Sequence, residues 1–362
     1  MSKKTFVVTG LLLLLSLSSC GSNAIRMDSD DYVKTIDSYQ DGFKILQLTD
    51  IHWNYTTDFA KQSEYLTAIV KLAKPNLIMV TGDSTLNANK EIADKLYDLI
   101  DSWKIPYGIT WGNHDRQGTW NPTWISERAS KGTYSLYDEV EDSVTGRSNY
   151  VINLRKNNEL KWQIYSLDSN SYAYDGGIKY HYDYIHDDQV DWYSAQAEKA
   201  KDEKGSYVPS VFYFHIPLWQ WYHAYKSTAE TKGLGEIHEN ATYVVEGLND
   251  DDPMPFWPGS QSSKLFSTAT KKNAKAFYCG HDHSNDWGEL YTEDGGTAYI
   301  GYGVKSGREL YYGVSDAGYD ITGGAVMTLH DDGSYDLEHL YVNTDDYADV
   351  HSVSISVSKE GK

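Results

Sequence analysis

Two periodicities alternate along this chain. Phe43-Lys44-Ile45-Leu46-Gln47-Leu48 is a strand-like run that ends in Thr49-Asp50-Ile51-His52. Tyr65, Leu66, Ile69, Val70 and Leu72 then recur at helical spacing up to Pro75, which cannot continue a helix. Leu77-Ile78-Met79-Val80 is wholly apolar, as a strand covered on both faces must be, and closes in Thr81-Gly82-Asp83. Ile92, Leu96, Leu99, Ile100 and Trp103 form a second helical stripe; Tyr107 to Trp111 is a third strand, broken at Gly112-Asn113-His114-Asp115. Strand, helix, strand, helix, strand predicts an α/β fold.

The second half repeats the device less regularly. Tyr150 to Leu154 and Trp162 to Leu167 read as a strand pair, with Asp168 as a turn residue behind them. Val190, Tyr193, Ala197 and Ala200 mark a helix, and Val211-Phe212-Tyr213-Phe214 opens into His215-Ile216-Pro217. Ala274 to Cys279 opens into Gly280-His281-Asp282-His283. Ala325 to Leu329 and Tyr335 to Val342 flank Asp331-Asp332-Gly333-Ser334, a hairpin signal. In α/β sheets ligands gather beyond the carboxyl ends of strands, where each polar cluster falls.

The first twenty residues read as an address. Lys3 and Lys4 precede an apolar stretch from Phe6 to Leu17, the pattern of a secretory signal. Leu17-Ser18-Ser19-Cys20 resembles a bacterial lipobox, which implies lipidation at Cys20 and a membrane anchor, with a lean toward an outer-membrane location. The expected organisation is a signal peptide over 1–20, a flexible tether over 21–40, one catalytic domain over 41–350 and a tail over 351–362. Apolar residues are 40 % and aromatics 14 % of the 362-residue chain, too many for a disordered protein. Two cysteines exclude a disulfide scaffold, and a net charge of −20 argues against a duplex nucleic-acid partner.

Singly, the polar clusters mean little; in order they are specific. Asp50-x-His52, Gly82-Asp83, Gly112-Asn113-His114-Asp115, His215 and Gly280-His281-Asp282-His283 resemble the calcineurin-like metallophosphoesterase superfamily, which includes the purple acid phosphatases. Gly146-Arg147-Ser148-Asn149-Tyr150 and His283-Ser284-Asn285-Asp286 add weaker support. The resemblance implies a four-layer αββα sandwich of two mixed sheets flanked by helices. It also implies two transition-metal ions (Fe, Mn or Zn) bridged by Asp83. Asp50, His52 and His283 would complete one site; Asn113, His215 and His281 would complete the other. Such a pair, about 3.5–4 Å apart, clamps the attacking and leaving oxygens of a phosphate ester.

The implied activity is hydrolysis of small phosphomonoesters by a bridging hydroxide, with His114 as general acid and Asp115 orienting its imidazole. The same metal set serves phosphodiesterases and nucleotide hydrolases, and the 31 Tyr and 11 Trp would also suit a glycan-binding surface lipoprotein without enzymatic activity. Purple acid phosphatases carry a metal-binding Tyr three residues after the bridging aspartate. Leu86 stands there in this chain, so a tyrosinate-bound ferric ion is not implied. His181, His186, His223, His238, His330, His339 and His351 read as solvated, with His223 in the aromatic run Trp219-Gln220-Trp221-Tyr222 as the candidate exception. That run and Phe256-Trp257-Pro258 are expected to pack as core rather than line a pocket.

Overall fold

The computed structural model describes residues 25–27, 32–140, 143–224, 241–243, 257–283, 285, 287–307, 322–342 and 350–357. The expected signal segment and Cys20 lie outside them, as do Phe256 and His238. In chain order the strands are β1 (Ile25–Met27), β2 (Val33–Ile36), β3 (Phe43–Leu48), β4 (Leu77–Thr81), β5 (Tyr107–Thr110), β6 (Tyr150–Lys156), β7 (Glu159–Ser166), β8 (Tyr172–Asp175) and β9 (Ile178–Tyr182). They continue as β10 (Ser210–Tyr213), β11 (Ala241–Tyr243), β12 (Ala274–Cys279), β13 (Gly288–Glu293), β14 (Gly296–Tyr302), β15 (Gly323–Leu329), β16 (Tyr335–Val342) and β17 (Val350–Val357). The helices are α1 (Phe59–Ala73), α2 (Lys90–Ser102), α3 (Pro122–Ser130), α4 (Asp187–Lys204) and α5 (Leu265–Thr270).

Two mixed sheets lie face to face. One runs β1-β2-β6-β7-β10-β12-β14-β13-β11, the other β17-β16-β15-β3-β4-β5, and β8-β9 form a separate ribbon. The parallel cores are β3-β4-β5 and β7-β10-β12-β14; α1, α2 and α4 make the crossovers from β3 to β4, β4 to β5 and β7 to β10, while β12 reaches β14 through the antiparallel β13. Strands buried on both faces need continuous apolar runs, which explains why Leu77 to Val80 are all buried. α1 packs on β3, β15 and β16, while α4 and α5 pack on β7, β12 and β14, giving the four-layer order helix, sheet, sheet, helix.

Local signals account for the helix ends. Asp58 and Asn89 accept from the backbone N–H groups of Lys61 and Ile92 at the starts of α1 and α2, the usual side-chain caps. Lys74 closes α1 in a left-handed turn just before Pro75. Ile92, Leu96 and Ile100 of α2, and Val190, Tyr193, Ala197 and Ala200 of α4, are buried as their spacing predicts. Leu72 is not: it faces solvent, 46 % exposed, and Ala73 takes the inward position. Strands β2 and β17 fall within the spans read as tether and tail, because β2 pairs with β6 and β17 with β16. His339 is also placed differently from its expectation. It shares the inward face of β16 with Tyr335 and Leu337 and is fully buried, since alternate residues of a strand face one way.

The sheets are held in mutual register by polar bridges inside an apolar core. The Tyr150 hydroxyl of β6 accepts from the Ile109 N–H at 2.7 Å and donates to the Ile109 carbonyl at 3.0 Å, satisfying both backbone groups of edge strand β5. Thr110 bonds Ser166 at 2.6 Å, and the Gln47 amide donates across to the Cys279 carbonyl and, within its own sheet, to Thr81. Removing one partner of a buried hydrogen bond exposes the other to its full desolvation cost. Tyr150→Phe is therefore expected to destabilise the fold by about 1–3 kcal/mol, read as a lower urea midpoint. A midpoint within experimental error of the parent would show that the bridge contributes nothing.

Candidate metal centre

Five strand ends of the two sheets meet at one edge. Asp50 and His52 follow β3, Asp83 follows β4, Asn113 and His114 follow β5, His215 follows β10, and His281 and His283 follow β12. The first five come from one sheet and the last three from the other. All are buried except His283, whose side chain is 13 % exposed. The backbone is forced here: Asp50, His52, Asp83 and His281 all have φ between 49° and 79°, a region L side chains rarely adopt and one that concentrates at functional sites. Backbone bonds from Asp50 N to Gly82 O (3.1 Å) and from His52 N to Asp83 O (2.9 Å) hold the turns. A Cβ at Gly82 would run into the His215 ring, and one at Gly112 into the Asp83 carboxylate, so only glycine permits the approach.

The Asp83 carboxylate is the hub. Its Oδ2 lies 3.1 Å from His215 Nε2, 3.4 Å from His52 Nε2 and 3.9 Å from His114 Nε2, while its Oδ1 accepts from the His114 backbone N–H at 2.7 Å. His283 Nε2 stands 3.3 Å from Asp50, whose carboxylate also accepts from Thr49 and from the His281 N–H. His281 Nδ1 and His215 Nε2 are 3.3 Å apart. Two groups of donor atoms result: Asp50, His52, Asp83 and His283 in one, Asp83, His215 and His281 in the other, with donor atoms in each within 4.8 Å of one another.

Burial and charge set the protonation of this cluster. Burial works to raise the Asp83 and Asp50 carboxyls, but the surrounding imidazoles outweigh it and hold both well below the usual carboxylate range. Burial lowers His52 to about 3 and pushes His281 well down, leaving these rings neutral, the form in which imidazole binds a cation. His215 goes the other way, up to about 10, because the charges of Asp83 and Asp50 overcome its burial. Its Nδ1 faces the Thr81 carbonyl at 2.9 Å, which directs Nε2 inward, the usual support of a metal-binding histidine.

The residues fit a pair of cations. The donors are oxygens and imidazole nitrogens without thiolate, suited to Fe, Mn or Zn. Asp83 belongs to both groups, and the buried Asn113 Oδ1 has no hydrogen-bonding partner. A buried acceptor of that kind is costly unless something fills the place.

Six of the seven expected ligands, Asp50, His52, Asp83, His215, His281 and His283, therefore converge, with His114 at their rim; Asn113 stands beside His114 on the loop after β5, its amide nitrogen on Tyr172. Asp115 does not sit where the sequence reading placed it. Its carboxylate accepts from the Thr85 N–H (3.1 Å) and the Gly112 N–H (2.9 Å), stapling the loops after β4 and β5 together. Burial, and then the Asp83 charge, raise its carboxyl to about 7. The His114 ring instead meets Gln117, Nδ1 to Oε1 at 2.7 Å. Asp168 is more than a turn: fully buried, it accepts from the Arg116 side chain and from the Arg147 and Asn170 N–H groups. Trp221 packs in the core as expected, Trp257 does not and is 42 % exposed, and His223 is exposed, 3.9 Å from Glu293. The contact residues the sequence reading missed are Gln117, three positions after His114, and Tyr172, whose hydroxyl accepts from the Gln117 and Asn113 amides.

Known proteins resemble this chain. The chain is 27 % identical over 272 residues to Phosphatase DCR2 of Saccharomyces cerevisiae, covering 68 % of this chain but only 44 % of that protein. It is 25 % identical over 358 residues to a protein of Arabidopsis thaliana named Probable inactive purple acid phosphatase 14, covering 83 % and 82 % of the two chains. Among solved structures, a dimetal phosphatase from Danio rerio superposes with a TM-score of 0.53 at 11 % identity, over 87 % of this chain and 99 % of its own, a likeness of fold. The family model described as Calcineurin-like phosphoesterase matches residues 43–285. That span runs from the first strand of the site past its last candidate ligand, and it makes this chain a member of the calcineurin-like phosphoesterase family.

Proposed function

We propose that the protein hydrolyses phosphate esters, phosphomonoesters foremost, at two transition-metal ions held by Asp50, His52, Asp83 and His283 on one side and Asp83, Asn113, His215 and His281 on the other. The observation that carries this reading is the Asp83 carboxylate, common to both donor groups. When bound, such a pair polarises phosphoryl oxygens and activates water for in-line attack. Two carboxylates against two divalent cations leave the pocket about +2, which attracts an anionic ester despite the acidic surface. His114 stands at the rim with Nδ1 held by Gln117 and Nε2 directed inward, placed to protonate the leaving oxygen. Such general-acid help contributes about 10²–10⁴-fold. The convergence of six candidate ligands supports an active enzyme in this chain, whatever the name of its plant relative says of that protein.

Two experiments test the reading. Metal analysis of the purified protein is expected to find about two transition metals per chain, and Asp83→Asn, which keeps the shape but removes the bridging charge, to lose both. Two metals retained in that variant would overturn the shared-ligand assignment, and none in the parent would favour a binding protein without catalysis. A panel of monoesters and bis-esters separates phosphatase from phosphodiesterase. On that panel His114→Ala is expected to slow an alkyl phosphate about 10²–10⁴-fold and a nitrophenyl phosphate, whose leaving group needs no proton, far less. Equal losses would remove His114 from the acid role.

We propose further that Cys20 carries a lipid anchor, on the support of Lys3, Lys4 and the apolar stretch before it. No described helix is long and apolar enough to cross a membrane. Cys20→Ser is expected to move the exported protein from the membrane to the soluble fraction; persistence with the membrane after a carbonate wash would refute the anchor.

A further inference from the structure

The ribbon β8–β9 belongs to neither large sheet, yet it touches the metal centre at several points. Tyr172 and Tyr182 are cross-strand partners, their rings stacked at 5.4 Å and 26°. Tyr182 meets His281 edge-on at 4.3 Å. The Lys179 ammonium sits 3.3 Å over the Tyr172 ring, and the Ser171 hydroxyl donates to the Asn113 carbonyl at 3.3 Å. Held by these contacts, the Tyr172 hydroxyl accepts from Gln117 Nε2 at 2.9 Å and from Asn113 Nδ2 at 3.4 Å.

We propose that Tyr172 is a positioning residue whose hydroxyl fixes the Asn113 and Gln117 amides, and through Gln117 the His114 ring. A carboxamide has one acceptor end and one donor end. With its donor end committed to Tyr172, Gln117 presents Oε1 to His114 Nδ1 at 2.7 Å. That nitrogen must carry the proton, and Nε2 is the atom left toward Asp83, 3.9 Å away. The same logic turns the Asn113 donor end outward, so that its buried Oδ1, which lacks a hydrogen-bonding partner, remains for a cation. One hydroxyl thus sets the facing atom of both a metal ligand and the proposed acid.

The kinetic consequence rests on the hydrolase reading; the geometric one does not. Tyr172→Phe keeps the ring, its stack and its cation contact and removes only the hydroxyl. With saturating metal, it is expected to lower kcat on an alkyl phosphate about 10–100-fold, the usual scale for a supporting partner, with KM nearly constant and a nitrophenyl phosphate little affected. Gln117→Ala should show the same split, and the double variant should be no worse than the more damaging single one, because both act along one chain of contacts. Equal losses on the two esters, or losses that multiply, would overturn the proposal. Ring-nitrogen NMR of His114 supplies a readout that needs no turnover. The neutral ring should carry its proton on Nδ1 in the parent, with a shifted signal in Tyr172→Phe and an unshifted one in Tyr174→Phe. A neutral His114 ring with its proton on Nε2 instead of Nδ1, or a signal unchanged in Tyr172→Phe, also overturns the proposal. A parent protein that hydrolyses neither ester but shows these spectra would sink the hydrolase reading while the positioning role stands.

Discussion

A carboxylate buried among imidazoles is the constraint on which this molecule is organised. Removing Asp83 from water is costly unless charge or hydrogen-bonding partners come with it, and three histidine side chains lie within 3.9 Å of its Oδ2. Those rings belong to loops after three different strands, so the charge is satisfied only when both sheets are in place. Backbone strain accumulates at the same point. Four candidate ligands occupy the left-handed region, at a cost of order 1–3 kcal/mol each, and cross-loop hydrogen bonds with close glycine contacts keep them there.

The polar bridges between the sheets follow from that requirement. One sheet supplies Asp50, His52, Asp83, Asn113 and His114, the other His215, His281 and His283, and a slip between them would separate the donor groups. An apolar interface alone resists sliding weakly, because its energy depends on area rather than direction. Tyr150 on Ile109, Thr110 on Ser166 and Gln47 on Cys279 add direction. They lie just below the ligand loops, where register matters to the site.

Around this frame the supporting contacts divide the labour. Asp115 spends its carboxylate on two backbone N–H groups and so fixes the loops rather than the His114 ring. Ring orientation passes to Gln117 and Tyr172, and Asp168 anchors the segment carrying Arg116 and Arg147 from the opposite side. A site whose ligands sit on loops is thus held by side chains from turns and from the ribbon beside it.

The one-dimensional pattern sufficed for the parts that depend on local chemistry. Predominantly apolar runs marked β3, β4, β5, β10 and β12, as strands covered on both faces require, and each was followed by residues of types that suit a cation. From these the α/β class and the six candidate ligands that cluster were legible. The contacts of β2 and β17, the burial of His339 and the ribbon β8–β9 were not. Edge strands acquire partners only when a sheet forms beside them, and Tyr172 to Tyr182 carry an exposed, mixed surface without a periodic apolar face. Gln117 and Asp115 are two residues apart on one short turn, and nothing in their types says which reaches His114. That choice depends on where the loop after β4 and the ribbon lie in space, and only the folded chain brings them there.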